Sequence, residues 1–257
     1  MSLTSLAVKI AAPLPNIEGF ERYLFIGPHP DDIEIGAGAT AAKLAAAGKS
    51  VCFLICTDGR YGDGGTLLRG DALVEARRVE SRAGAETLGV KDVRFLPFSD
   101  GGFYTAEELE TAMAQVIGDF QPDVIFAPDP NVGTECHPDH LNAGRTAQKL
   151  AYFCRYGGIM SHYGAKSCEV KALAQYFTAR PNRCVAVRGF EKKQREAIFT
   201  CHKSQFPQGA EAGEGKAIAL YLTIRNADMA LRSLKGSAEG FRVSGVTQMH
   251  CLPEADI

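Results

Sequence analysis

Four short apolar runs alternate with segments of helical periodicity, and this order constrains the fold more than any other feature. The apolar runs occupy about 23–27, 51–56, 93–96 and 122–127. The helical segments that follow them occupy about 35–47, 73–88, 106–120 and 137–153. An uninterrupted apolar run such as 51–56 is typical of a strand buried on both faces. The alternation predicts an α/β fold: a Rossmann-like three-layer arrangement with a mostly parallel central sheet and helices on both faces.

The chain beyond residue 156 shows weaker periodicity. Strands are predicted near 172–177 and 184–187, and helices near 190–202 and 216–234. The segment 157–166 is expected to be a loop, and the tail from residue 236 has no assignment. A length of 257 residues suits one domain. We therefore expect a single domain over 1–257, with a disordered or loosely packed leader at 1–18, an α/β core at 19–155, and a C-terminal part at 156–257 that shapes the pocket.

The composition excludes several classes of partner. A net charge of −2 gives no field that would favour nucleic acid or an anionic membrane surface. No apolar run approaches the roughly 20 residues that span a bilayer, and residues 1–15 do not have the pattern of a secretory signal. The eight cysteines are scattered and form no CxxC pair. A reduced, cytoplasmic protein is therefore expected.

Histidines and acids gather at two places in the sequence. The segment 27–34, GPHPDDIE, follows the first predicted strand and holds one histidine and three acids. Acidic side chains are costly to gather at a strand end unless a cation or a reaction uses them. The segment 137–140, HPDH, follows the fourth predicted strand. Because parallel strands end at the same edge of a sheet, we expect the two segments to lie close together.

Each segment alone has an ordinary explanation. A His-Pro-Asp sequence is usually a turn, and Asp32 and Glu34 would suit the first turn of a helix. Together they favour a metal site, because two histidines and a carboxylate are a standard zinc set that leaves one position for water. Water at such a metal becomes acidic enough to attack at neutral pH, a nearby carboxylate can take its proton, and a further histidine can stabilise an oxyanion.

The two segments resemble the paired motif of the LmbE/PIG-L family of zinc-dependent N-deacetylases. The residues that carry the resemblance are His29-Pro30-Asp31-Asp32-Ile33-Glu34 and His137-Pro138-Asp139-His140. It continues in Thr57-Asp58-Gly59, Arg77-x-x-Glu80 before Leu88-Gly89-Val90, Asp100-Gly101-Gly102 and His202-Lys203-Ser204-Gln205. Members of this family remove acetyl groups from N-acetylglucosamine-type amines. The resemblance therefore implies an LmbE-like fold and a zinc-dependent enzyme that hydrolyses a linear amide.

The resemblance also implies a role for each residue of the motif. The zinc ligands would be His29, Asp32 and His140. Asp31 would be the general base that activates water and later protonates the leaving amine. His137 would stabilise the tetrahedral intermediate, and Asp139 would orient His137.

Three further residues are predicted to contact the substrate or support the site: Arg77, Asp100 and His202. The alternatives are a solvated arginine on a charged helix, an Asp-Gly turn and a histidine that only packs against a loop. Cys136 directly before the second segment departs from the family pattern and could ligate metal or oxidise, but the complete His/Asp/His set favours a small residue that only lies beside the site. His250 could reach the site from the tail, although a structural role is favoured.

The predicted function is the zinc-dependent removal of an N-acetyl group from an N-acetylglucosamine-type amino sugar or glycoconjugate. One alternative is a related amidase or deacylase that acts on a non-sugar natural product. Another is a metal-binding interaction protein without catalysis, which the presence of Asp31 beside a full ligand set argues against. The expected partner is the small-molecule substrate. The oligomeric state is not readable from the sequence, although the resemblance leaves a homo-oligomer open. The substrate itself is not readable, because segments 165–187 and 207–215 match no single subfamily.

Overall fold

The computed structural model describes residues 3–250 and residue 252. The strands in this part of the chain are β1 (Arg22–Gly27), β2 (Ser50–Thr57), β3 (Asp92–Phe98), β4 (Val124–Pro128), β5 (Ala172–Tyr176), β6 (Arg183–Ala186) and β7 (Ala238–Gly245). The α-helices are α1 (Leu3–Ala11), α2 (Asp32–Ala46), α3 (Gly70–Thr87), α4 (Ala106–Phe120), α5 (Pro138–Phe153), α6 (Gly157–His162), α7 (Glu191–Glu196) and α8 (Gly213–Ser233). A π-helical segment (Ala197–Cys201) continues α7, and a 3₁₀ helix (Val246–Met249) follows β7.

The strands form one sheet in the order β3-β2-β1-β4-β5-β7-β6. The first five strands in this order pair in parallel, which confirms the predicted mostly parallel sheet. β7 pairs antiparallel with both β5 and β6, so the tail that had no assignment supplies a strand. The chain order reverses between β1 and β4, the two strands that precede the histidine segments. Open α/β sheets bind ligands at such a reversal.

The side chains of the central strands alternate between two apolar layers. On one face Phe25, Phe53 and Phe126 pack with residues of α2 and α3, and the Phe25 and Phe126 rings stack 4.2 Å apart. On the other face Leu24 and Ile125 pack with residues of α4 and α5. Because both faces are covered, the strands are buried, as their continuous apolar sequences indicate. The predicted three-layer arrangement is confirmed.

α2 has a break at Ala37, where φ is −152°. On the near side of the break, Gln194 Nε2 donates to the Glu34 carbonyl at 2.9 Å. On the far side, Glu239 accepts from the Thr40 amide at 2.8 Å, and Gln194 also donates to Glu239 at 2.9 Å. Backbone groups that the break releases therefore have partners. Gln194 of α7 thus binds the first turn of α2, and Glu239 of β7 binds the part after the break.

One expectation outside the core changes. The segment 157–166 was expected to be a loop, but residues 157–162 form α6, because burial of Met160 stabilises a helix too short to show periodicity. Residues 3–11 of the predicted leader form α1, whose Leu3 and Ile10 are exposed. The seven cysteines in the described part are free thiols, and Cys251 lies outside it. None of the described helices has the length and apolar character needed to cross a bilayer.

Candidate metal centre and active site

The loop between β1 and α2 carries the first histidine segment. It turns at Gly27, where a Cβ would lie 2.8 Å from Ile33 Cγ1, so only glycine fits. Asp31, the residue before α2, has φ of 104°, a value that is rare for a residue with a side chain. Its side chain makes no capping hydrogen bond to the helix. Strained backbone of this kind clusters at functional sites, where the surrounding structure maintains it.

Three side chains bring possible ligand atoms together. His29 Nδ1 lies 3.1 Å from Asp32 Oδ2, and His140 Nε2 lies 3.3 Å from the same oxygen. The ligand atoms of the three residues all lie within 4.8 Å of one another. The three side chains predicted as ligands are thus adjacent, although they come from loops more than a hundred residues apart. Two imidazoles and one carboxylate form a donor set that suits zinc.

Both histidines of this set have a carboxylate near their other ring nitrogen. His29 Nε2 lies 3.0 Å from Asp139 Oδ2. His140 Nδ1 lies 3.2 Å from Glu135 Oε2, without the geometry of a hydrogen bond. Carboxylates in such positions orient metal-binding histidines and make them more basic. The sequence interpretation missed Glu135, whose signal was an acid within the same loop as the second histidine segment.

Asp139 is fully buried and is held from several sides. Its carboxylate accepts hydrogen bonds from the amides of Gly101 at 2.7 Å and Gly102 at 2.9 Å, and from Tyr104 Oη at 2.7 Å. Burial alone would raise the pKa of Asp139, but the contacts with His29, Tyr104 and Gly101 lower it to about 2. Asp139 is therefore a fixed negative charge behind the His29 ring. Sequence reasoning had not singled out Tyr104.

His137 caps the start of α5, and its side chain is 45% exposed. Its Nδ1 accepts from the Asp139 backbone amide at 3.3 Å, whereas the Asp139 carboxylate is 3.8 Å from this nitrogen. Asp139 thus contacts His137 mainly through its amide, while its carboxylate pairs with His29. Burial and the nearby His29 ring lower the pKa of His137, so its ring is neutral at pH 7.

Asp31 is paired with the buried arginine of α3. Arg77 Nη2 lies 3.3 Å from Asp31 Oδ2 and donates to the Pro30 carbonyl at 2.6 Å. Arg77 Nη1 donates to the Gly59 carbonyl at 3.1 Å. Burial raises the pKa of Asp31 to about 6, and the positive charge of Arg77 opposes this rise. Arg77 is only 4% exposed, so in this structure it positions Asp31 more than it offers a surface to substrate.

The remaining charges of the site favour a cation. Burial would raise the pKa of Asp32, but His140 and His29 hold it well below its usual range. Burial would lower the pKa of His29, but hydrogen bonds to Asp139 and Asp32 raise it to about 10. The pKa of His140 is raised in the same way by Asp32, against burial. The carboxylates thus stabilise positive charge at these rings, and a divalent cation would displace those protons on binding.

Two of the predicted substrate residues lie behind the site. Asp100 is 5% exposed and accepts from the Tyr61 amide at 3.2 Å, and its loop carries the amides that bind Asp139. His202 is fully buried, with Nε2 3.2 Å from Glu34 Oε1. The buried ring of His202 leaves no surface for direct contact with substrate. Its ring contacts Glu34 in the first turn of α2.

The two residues whose roles were left open lie apart from the ligand set. Cys136 is exposed, its thiol contacts the Thr134 carbonyl at 3.6 Å, and it belongs to no group of potential metal ligands among the described residues. The His250 ring stacks on Tyr152 with centroids 5.3 Å apart, near the end of α5 that is remote from His137. This placement agrees with a structural role for His250.

Comparison with known proteins assigns the family. Residues 24–151 match PIG-L, described as GlcNAc-PI de-N-acetylase. A diacetylchitobiose deacetylase of Thermococcus kodakarensis is 32% identical over 209 residues, which cover 80% of this chain and 77% of that protein. The chain belongs to the PIG-L family. A 1D-myo-inositol 2-acetamido-2-deoxy-alpha-D-glucopyranoside deacetylase of Streptomyces griseus is 32% identical over 204 residues, which cover 68% of this chain and 60% of that protein.

Solved structures share the fold of this PIG-L protein. The N,N'-diacetylchitobiose deacetylase of Pyrococcus horikoshii, complexed with an inhibitor, matches with a TM-score of 0.86 at 27% identity, over 100% of this chain and 98% of that one. A 4-carboxy-2-hydroxymuconate hydratase of Pseudomonas putida matches with a TM-score of 0.68 at 20% identity, over 87% and 96%. The second likeness concerns the fold alone, which can support several reactions. The predicted LmbE-like fold and the predicted enzyme class, an N-deacetylase, are confirmed.

Proposed function

We propose that this PIG-L protein is a zinc-dependent hydrolase that removes the N-acetyl group from an N-acetylglucosamine-type amino sugar or glycoconjugate. The proposal depends on one observation: His29, Asp32 and His140 converge next to the carboxylate of Asp31 and the exposed ring of His137. The substrate class comes from the relatives, whose names specify acetylated amino sugars.

The donor set fits zinc better than the common alternatives. His29, Asp32 and His140 would hold the ion through two ring nitrogens and a carboxylate oxygen, whereas Mg²⁺ and Ca²⁺ prefer oxygen ligands. The carboxylates of Asp139 and Glu135 would stabilise the two rings in their metal-binding orientation. When bound, zinc supplies Lewis-acid stabilisation of negative charge and lowers the pKa of water to about 7.

Asp31 would be the general base. Its pKa of about 6 lies close to working pH, so the carboxylate can take a proton from the attacking water and return it to the leaving amine. Arg77 fixes the carboxylate for this transfer by its contact at 3.3 Å. Asp32, next in sequence, has a much lower pKa and stays ionised as a ligand. Two adjacent aspartates therefore take different roles because their surroundings differ.

His137 would stabilise the charge that develops on the carbonyl oxygen. Because its Nδ1 accepts the Asp139 amide, the neutral ring carries its hydrogen on Nε2. That hydrogen can be donated to the oxygen as negative charge builds up in the transition state. The lowered pKa of His137 keeps the ring neutral and the donor in place across neutral pH.

Several other predicted features belong to the same proposal. Asp100 would bind sugar hydroxyls if the loop around it moves, and Arg77 would act chiefly by positioning Asp31. The predicted cytoplasmic location fits the seven free thiols of the described part. The homo-oligomer stays a prediction.

A panel assay tests the function. Acetate release would be measured with metal-free and zinc-restored protein, on N-acetylglucosamine, diacetylchitobiose, an N-acetylglucosaminyl inositol and a non-sugar N-acetyl amine. We expect release from the sugar substrates only after zinc is restored, and loss of bound zinc in His140→Ala. His162→Ala changes an exposed histidine of α6 and should keep both zinc and activity. Stoichiometric zinc without turnover of any amide, or turnover of the non-sugar amide alone, would contradict the proposal.

A further inference from the structure

Two large aromatic side chains are exposed next to each other at the active-site edge of the sheet. Tyr61 is 60% exposed and lies in the loop after β2, and Phe103 is 73% exposed and lies in the loop after β3. Their rings meet edge to face, with centroids 5.9 Å apart and an interplanar angle of 76°. Removing such apolar area from water favours binding. The pair therefore leaves unused a contact surface that a ligand could cover.

Both rings contact the loop whose amides support Asp139. The Tyr61 amide donates to both oxygens of Asp100, at 3.3 and 3.2 Å. The Phe103 ring lies across Gly101, where a Cβ would come within 2.8 Å of it. The Gly101 amide binds Asp139, whose carboxylate contacts His29. The Phe103 ring is thus only two hydrogen bonds away from a predicted zinc ligand.

The position of this pair defines what it can contact. In the proposed function the acetamide reacts beside His29 and His137. Tyr61 and Phe103 lie in loops at the edge of this site, so they would contact another part of the substrate. Gly102 rests on Pro138, since a Cβ there would lie 3.2 Å from Pro138 Cβ, which fixes the Phe103 loop beside His137. Aromatic side chains supply large, rigid contact area at a low cost in conformational entropy. Their flat faces suit the C–H face of a saturated six-membered ring.

We propose that Tyr61 and Phe103 form an aromatic platform that binds a second six-membered polyol ring joined to the acetamido sugar. This inference rests on the proposed function and adds to it a preference for two-ring over one-ring substrates. A pyranose and a cyclitol share the chemistry that the platform recognises. The experiment includes one substrate with each kind of ring to decide between them.

The test compares substrates on the zinc-loaded full-length protein. kcat and KM would be measured for N-acetylglucosamine, diacetylchitobiose and an N-acetylglucosaminyl inositol, with wild type, Tyr61→Ala and Phe103→Ala. We expect kcat/KM for a two-ring substrate to fall roughly three- to tenfold per substitution, mainly through KM. The value for the one-ring substrate should stay within about twofold. Loss on diacetylchitobiose alone would identify a pyranose, and loss on the inositol conjugate alone a cyclitol.

Controls separate this inference from the function on which it rests. Tyr156→Ala removes another partly exposed aromatic, which lies at the start of α6, and should change no substrate. Tyr61→Phe keeps the ring and should retain the two-ring preference. Titration calorimetry with the two-ring amine product measures the platform without catalysis, so absent turnover would refute the function alone. Equal losses on one-ring and two-ring substrates, or unchanged KM and product affinity in both alanine variants, would overturn the platform.

Discussion

Replacing Asp139 by asparagine tests how the site is held together. The carboxylate accepts from Gly101 and Gly102, from Tyr104 and from His29. Asparagine has the same shape but only one acceptor oxygen, so its NH₂ group must face two of these donors. Each hydrogen bond to a charged group contributes about 1.5–3 kcal/mol, so the free energy of unfolding should fall by about 3–5 kcal/mol. Loss of the carboxylate behind His29 should weaken zinc binding about 10–100-fold.

The two effects of Asp139→Asn are measured separately. Urea denaturation of metal-free protein gives the free energy of unfolding, and competition with a chromophoric chelator gives zinc affinity. Asp129→Asn is the matched control, because Asp129 is also buried at a strand end and accepts its hydrogen bonds from Asn131 and Thr178 rather than from a histidine. It should lower stability but leave zinc affinity within about twofold. Wild-type zinc affinity in Asp139→Asn would refute the supporting role of this carboxylate.

Three further predictions follow from metal binding, ionisation and packing. Zinc at 100 times its dissociation constant should raise the free energy of unfolding of the metal-free protein by about 2.7 kcal/mol, and an unchanged denaturation curve would contradict a folded-state site. Burial lowers the pKa of His202, but the hydrogen bond to Glu34 raises it above its ordinary value. The protonated pair therefore stabilises the fold at pH values below the unfolded pKa of about 6.5. This contribution is lost as the pH rises through the higher pKa of the folded state. The stability difference between wild type and His202→Gln should therefore shrink with rising pH in urea denaturation, whereas a constant difference would contradict the assignment. Gly36→Ala places a Cβ against the Tyr176 ring, which cannot move easily because its hydroxyl donates to a backbone carbonyl. The free energy of unfolding should fall by about 1–3 kcal/mol. In the control Gly64→Ala the Cβ meets open space, and the free energy of unfolding should change by less than about 0.5 kcal/mol in the same urea denaturation.

The parallel core was predictable from sequence because each of its strands is a continuous apolar run with a helix after it. β7 was not predictable, since Ala238–Gly245 contains glycines and charged residues that become buried only through pairing with β5 and β6. The break in α2 was also hidden. The side chains that bind the backbone on either side of it, Gln194 and Glu239, lie more than 150 residues further along the chain. Helix propensity depends on the local sequence, so it does not reveal such contacts.

The proximity of His29, Asp32 and His140 was predictable because the sequence motif and the strand topology agreed. The residues that surround these ligands were harder to predict from the sequence. Glu135 had no motif of its own, and Tyr104 contacts Asp139 across two different loops. Arg77 and His202 were predicted to contact substrate or support the site, but both are buried, and their side chains contact Asp31 and Glu34. Burial depends on the assembled fold, which a residue's type and spacing do not specify.

Zinc content and acetate release in Asp31→Asn, measured together with an N-acetylated sugar as substrate, show whether Asp31 transfers protons beside a zinc ion that it does not bind. Zinc content should equal that of the wild type, and kcat should fall at least about 100-fold, because a general base contributes about 10²–10⁴-fold. Full acetate release at unchanged zinc content would rule out Asp31 as the general base.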